Sequence, residues 1–192
     1  MFALSLPLSP RRTQPLPALD GSNPNPDLIQ QMLLGQEQGR GIMPPGLGLG
    51  QTAFARMLRR YRLPLIHPPG PNTSRGDPQP LPESNDLYHL LCDHRSVGHE
   101  EAAWLATIVV AGCGGSDHLW SDLGLRHRGE LNRLLLHNFR PLAQRNVGDM
   151  KWKKFLYRRL CEREGLTLCP APSCHICRDY ARCFGPELPA SS

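Results

Sequence analysis

Four cysteines crowd the C-terminal end of the chain: Cys169-Pro-Ala-Pro-Ser-Cys174-His-Ile-Cys177-Arg-Asp-Tyr-Ala-Arg-Cys183. The spacing is C-x4-C-x2-C-x5-C, so four thiols fall within 15 residues. Thiolate is a soft ligand that selects zinc, copper(I) or iron–sulfur clusters. Cys169, Cys174 and Cys177 reproduce the C-x4-C-x2-C part of plant-type ferredoxins, whose fourth ligand is distant; here the fourth follows at once. Structural zinc more often uses two C-x2-C pairs separated by a long insert. Pro170 and Pro172 keep the residues before them out of helix, which holds a short loop open. The polar flanks Ser173, Arg178, Asp179 and Arg182 argue against four thiols acting as apolar filler. On spacing alone three readings stay open: an iron–sulfur cluster, zinc, or no metal.

Other groups in the chain carry weaker chemistry. His175 lies between two of the cysteines and reads as a solvent-facing side chain, because four thiolates already complete a ligand set. Cys92, Cys113 and Cys161 sit on expected helices or at their ends and read as small core residues. His118 is an isolated histidine without a paired ligand and reads as packing beside Trp120. Lys151, Lys154 and Arg158 recur at i, i+3 and i+7, a basic stripe that would lie opposite an apolar one. Residues 151–192 hold eight basic and four acidic residues, so most of the net charge of +5 sits near the cysteines. No Ser-His-Asp arrangement, phosphate loop or HExxH motif stands out, and an enzyme in the strict sense is not expected.

These side chains need a scaffold, and proline decides where it lies. Fifteen of the 20 prolines fall in residues 1–82. Proline removes a backbone donor and fixes φ, so that segment is not mostly helix or central strand. Residues 1–83 therefore read as a proline-rich, partly disordered region with one or two short helices, over about 27–34 and 52–61. Residues 1–26 read as loosely attached. Residues 84–192 read as a helical domain ending in the cysteine-rich loop. Within it, Ser84 or Asn85 caps a helix to about Arg95, and Glu100 and Glu101 open a helix that is apolar all round and hence central. Gly112 to Gly115 should end that helix through a left-handed turn. Two more helices span about 128–139, stopped by Pro141, and about 150–164, ended by Gly165. No run of alternating strands appears. The expected fold is mostly α, a small helical bundle with a C-terminal four-cysteine metal-cluster loop.

Composition excludes some classes of function. The charge excess is mild, and neither an aromatic-interleaved basic sheet nor a helix-turn-helix spacing is present, so nucleic acid is not an expected partner. The longest uncharged stretch among the expected helices, Ala102 to Ser116, has 15 residues. A membrane span needs about 20. The apolar start Met1-Phe2-Ala3-Leu4 lacks a preceding basic region and is broken by Pro7, the wrong order for a secretory signal. The expected location is the cytoplasm, where thiols stay reduced and bind metal more often than they form disulfides.

The run Asp149-Met150-Lys151-Trp152-Lys153-Lys154-Phe155, then Tyr157, Leu160-Cys161-Glu162 and Glu164-Gly165, then the four-cysteine motif closing on Phe184-Gly185-Pro186-Glu187, resembles the NifQ family of nitrogen-fixation proteins. His118-Leu119-Trp120, Asp122-Leu123-Gly124-Leu125 and Asn146 fit the same pattern, as does Gly46-Leu47-Gly48-Leu49 more loosely. The resemblance implies a molybdenum carrier of iron–molybdenum cofactor biosynthesis. It implies a molybdenum–iron–sulfur cluster on Cys169, Cys174, Cys177 and Cys183, and delivery to nitrogenase cofactor-assembly scaffold proteins from molybdate or a molybdenum-bearing cluster. Two alternatives remain: an electron-transfer protein with an iron–sulfur cluster lacking molybdenum, and an interaction module stabilised by zinc.

Overall fold

A computed structural model describes residues 22–64, 81–165, 180–185 and 187. Among the described residues the fold is helical and contains no strand. Residues 1–21 and three of the four cysteines, Cys169, Cys174 and Cys177, lie outside them.

The central helix is α4 (His99–Cys113), and its sequence explains why. Trp104, Leu105, Ile108 and Val109 are buried, as are Ala102, Ala106, Gly112 and Cys113, so it turns apolar surface to several neighbours. Those neighbours are α2 (Gln51–Arg60), α3 (Ser84–Asp93) and α5 (Leu119–Asp122). Phe54, Met57 and Leu58 form the buried stripe of α2, at the i, i+3, i+4 spacing read from the sequence. Arg56 and Arg60 on α2 pair with Glu100 and Glu101 in the first turn of α4. The acidic pair also faces the positive end of its own helix.

Around this centre stand α1 (Asn25–Glu37), α6 (Arg128–Asn138), α7 (Arg140–Ala143) and α8 (Trp152–Arg163), with α9 (Tyr180–Phe184) at the C-terminal end. Helix α8 packs on α3 through buried Trp152, Phe155, Leu156 and Leu160. Helix α6 lies against α1, α5 and α7. Gly35 makes the approach of α1 possible. A Cβ there would stand 2.5 Å from the carbonyl oxygen of Gly124, a backbone atom with no room to give.

Several expectations need correction. Ser84 is the first residue of α3, not its cap; Glu83 takes the cap position and no side chain bonds the free amides. Helix α4 ends at Gly114 with φ of −70°, not through a left-handed glycine. Gly112 stays inside the helix because its missing Cβ admits the Leu123 side chain, which a Cβ would meet at 2.7 Å. Helix α6 does end at Asn138, just before Pro141, but Pro141 also opens a further short helix, sitting in the first turn of α7, where its absent N–H is not missed. Residues 1–26 are not all loosely attached. Asn25 is fully buried and exchanges hydrogen bonds of 2.8 and 2.7 Å with Asn138 on α6, and it bonds the Tyr61 hydroxyl. Leu28, Ile29 and Met32 of α1 join the same core as Leu105 and Leu134. Gly165, with φ of +70°, follows α8 as expected.

Candidate functional site

The only described member of the four-cysteine set is Cys183, half-buried on α9. Its carbonyl accepts a 2.8 Å hydrogen bond from the Lys151 N–H, at the cap of α8. The aromatic ring of Phe184 lies over Gly148, where an added Cβ would come within 3.1 Å of it. The chain thus leaves α8 at its C-terminal end and is back at its N-terminal end by Cys183. A 12-residue helix separates those points by about 18 Å.

Glu187, four residues after Cys183, is locked to the body of the fold. Its carboxylate pairs with Arg128, the first residue of α6, and lies 3.9 Å from His118 Nδ1. Both Arg128 and Glu187 are largely buried, at 18% and 8% side-chain exposure. Arg128 holds more than Glu187: it donates to Asp149 Oδ1 at 2.8 Å and to the carbonyl of Met150 at 2.8 Å. Its guanidinium also stands 5.9 Å from the centre of the Trp152 ring. The turn that offers those acceptors is shaped by Asn146, whose side-chain amide bonds both the N–H and the C=O of Met150 at 2.9 Å. That bracket holds Asp149 at a φ of +53°, a conformation asparagine and aspartate tolerate better than most residues.

A second lock fixes the start of α8. Lys153 pairs with the buried carboxylate of Asp122 and donates to the Gly115 carbonyl at 2.7 Å. Asp122 also accepts the Asp117 N–H at 3.1 Å. Burial raises the Asp122 carboxyl above its ordinary value, although the Lys153 ammonium pulls the other way. Trp152 Nε1 donates to Asn132 Oδ1 on α6 at 2.7 Å. Two successive residues therefore bolt α8 to the α4–α5 connection and to α6.

The residues singled out from the sequence separate into groups. His118 stacks on Trp120, with ring centroids 6.4 Å apart, and also faces Glu187. Cys113 is buried beside Lys153 and Asp122, and burial pushes its thiol up to about 12, so it is protonated core. Cys92 and Cys161 are half-buried on α3 and α8. Among the described residues no three His, Cys, Asp or Glu side chains gather to hold a metal. In the basic stripe, Lys154 is exposed, Lys151 is partly buried, and Arg158 bonds Glu162 at 2.9 Å. His175 lies outside the described residues. Sequence reading did not find Arg128 or the Lys153–Asp122 pair. A lysine inside a basic run gives no sign of being buried. An acid closing the cysteine motif could have pointed to a cationic partner, but not to which one. Among the described residues no helix is long and apolar enough to cross a membrane.

Comparison with known proteins bears on this arrangement. The NifQ family model matches residues 28–185, which takes in all nine described α-helices except the first three residues of α1. Protein NifQ of Azotobacter vinelandii is 37% identical over 171 residues, covering 83% of this chain and 88% of that protein. A Protein NifQ homolog of Sinorhizobium fredii is 39% identical over 150 residues, 78% of this chain and 65% of that protein. Protein NifQ of Rhodobacter capsulatus is 34% identical over 149 residues, 78% of this chain and 81% of that protein. No solved structure matches. With a family match that spans both the helical scaffold and the cysteine motif it serves, the chain belongs to the NifQ family.

Proposed function

We propose that this protein is a molybdenum carrier for nitrogenase iron–molybdenum cofactor biosynthesis. Its cargo is a molybdenum–iron–sulfur cluster held by Cys169, Cys174, Cys177 and Cys183, which it hands to cofactor-assembly scaffold proteins in the cytoplasm. The observation that carries this reading is the compact C-x4-C-x2-C-x5-C set in a NifQ chain. Four thiolates poorly suit a hard oxyanion but suit an iron–sulfur framework that holds molybdenum through sulfide.

The scaffold suits a carrier in two respects. The far end of the motif is anchored, by the Lys151–Cys183 backbone bond and by Glu187 on Arg128. A fixed end limits the conformations open to the ligand set and so lowers the entropy cost of closing it around a cluster. The C-terminal end of α8 from Glu162 to Gly165 is exposed, and the motif begins four residues further along the sequence. The protein's part is binding and release, so no catalytic residue is assigned.

The test is anaerobic purification followed by iron, molybdenum, zinc and sulfide analysis of the wild type and of C169A, C174A, C177A and C183A. The expected result is molybdenum, iron and sulfide in the wild type and loss of most metal in each variant. Loaded wild type should also support cofactor synthesis without added molybdate. Zinc alone would favour the interaction module, and iron and sulfide without molybdenum the electron-transfer protein.

A further inference from the structure

The turn between α7 and α8 is built to hold one apolar side chain out of the fold. Asn146 is buried and brackets Met150, bonding its N–H and its C=O at 2.9 Å each. That bracket holds Asp149 in the left-handed region, at a φ of +53°. Gly148 lies under the Phe184 ring, which an added Cβ would meet at 3.1 Å. Among these fixed neighbours stands Val147, 76% exposed, the one exposed large hydrophobic side chain among the described residues. A lone exposed apolar residue is ordinary on a protein surface. One presented by a bracketed turn is preorganised for contact, because little ordering entropy is left to lose on binding.

Positive charge flanks it. Arg145 lies two residues before Val147, and Lys151 and Lys154 follow it a helical turn apart at the start of α8. Backbone bonds of 3.1 Å from the Arg145 N–H to Leu142 and from the Asp149 N–H to Asn146 keep this stretch folded on itself. Arg145 and Lys154 are exposed and Lys151 is half-buried, and none of the three has a carboxylate partner among the described residues. The carboxylates of this end are held by other groups. Asp149 and Glu187 both pair with Arg128, and Asp122 pairs with Lys153. Asp117 accepts the Ser121 hydroxyl at 2.9 Å and the His118 N–H at 2.7 Å. Two carboxylates share Arg128, so the surplus over the whole end is small; it is local to the three cations around Val147. Arg158, which the sequence pattern would add to them, is turned to Glu162 at 2.9 Å.

The same turn meets the end of the cysteine motif. The Lys151 N–H bonds the Cys183 carbonyl at 2.8 Å, so Cys183 stands beside this surface. Nucleic acid would ask for stacking aromatics and a larger basic footprint. A bilayer would ask for an apolar face wider than one valine. An apolar knob flanked by cations fits a protein surface that offers an apolar recess among carboxylates. We propose that the α7–α8 turn, with Arg145, Val147, Lys151 and Lys154, is a docking surface for an acidic protein. Resting on the carrier reading above, that protein is the one that accepts the cargo, and docking here brings it to the Cys183 end of the ligand set.

The experiment is biolayer interferometry of the full-length protein, metal-free and loaded, on an immobilised cofactor-assembly scaffold protein, from low to high salt. The variants are V147S, K154E and the triple variant R145E/K151E/K154E. R59E controls for net charge, because Arg59 is exposed on α2 and bonds only the Ala55 carbonyl, at 3.4 Å. Circular dichroism, iron and molybdenum are measured for each. The expected result is binding that weakens with salt, since exposed charges are screened. The triple variant should lose about tenfold or more in affinity, mostly through slower association, with K154E between it and wild type. V147S should lose about fivefold, through faster dissociation and at all salt concentrations. R59E should bind like wild type, and circular dichroism and metal content should not change. No binding by the wild type at low salt overturns the docking surface. So do a folded V147S and triple variant that bind like wild type, or an R59E that weakens binding as much as K154E; the carrier reading then still stands on its metal content. Salt-sensitive binding that the variants lose, in a protein that never acquires molybdenum, supports the surface and overturns the carrier reading.

Discussion

Lys153 and Asp122 form a salt bridge that is largely out of water, with 18% and 4% side-chain exposure. Such a pair earns little net stability when intact, but breaking it strands a charge. Asp122→Asn keeps the shape and removes the charge, leaving the Lys153 ammonium on the Gly115 carbonyl alone. The expected loss is about 2–3 kcal/mol, read as a shifted urea midpoint with unchanged slope. Glu130 offers a test of sign. Burial opposes its ionisation, but hydrogen bonds from the Arg126 side chain and N–H outweigh that and hold the carboxyl below its ordinary value of 4.5. A carboxyl depressed in the folded state adds stability that is present above its unfolded pKa and is lost as pH falls through its folded one. Glu130→Gln should therefore lower stability at neutral pH and flatten the acid limb below pH 4.5. Urea midpoints measured from neutral to acid pH check both. An acid limb as steep as that of the wild type would remove Glu130 from the account.

Between elements, the contact that bears most on function is the return of the chain after Cys183. Helix α9 has only five residues and cannot be stable by itself. It is held by the Lys151–Cys183 backbone bond, by Phe184 on Gly148, and by Glu187 on Arg128. Glu187→Ala removes the last of these while leaving the buried faces of the long helices intact. Circular dichroism should hardly change, hydrogen exchange in residues 180–185 should quicken, and a loaded protein should lose metal faster on gel filtration. Unchanged exchange and retention would show that the first two contacts suffice.

For the molecule as a whole, the question is where the folded body begins. Asn25 ties α1 to α6 and to the Tyr61 hydroxyl at the end of α2, which makes it part of the core rather than of a leading tail. A truncation that starts at Ser22 should keep its thermal midpoint within about 2 °C. One that starts at Leu28 loses Asn25 and leaves Asn138 with a buried, half-satisfied amide, at a cost of about 1–3 kcal/mol. Thermal melts of the two fragments distinguish these cases. If both melt like the full chain, the Asn25–Asn138 bonds add nothing to the fold.

How much of this was legible beforehand depends on how local each determinant is. The spacing of Phe54, Met57 and Leu58, the all-apolar run around Trp104, and the stripe from Trp152 to Leu160 lie within single helices, so periodicity alone placed them. The four-cysteine motif is local too, so its spacing is visible within 15 residues. The short helices α5 and α7 and the caps were not legible, because a single turn is set by what it packs against rather than by its own propensity. The partners of Arg128, Lys153 and Asn25 lie 59, 31 and 113 residues away, as Glu187, Asp122 and Asn138. No one-dimensional pattern encodes a pairing at such separations. The sequence by itself thus determined the long helices, whose apolar spacing is local. Only the tertiary structure decided which charges are buried together and where the end of the cysteine motif is anchored, because those contacts join residues far apart in the chain.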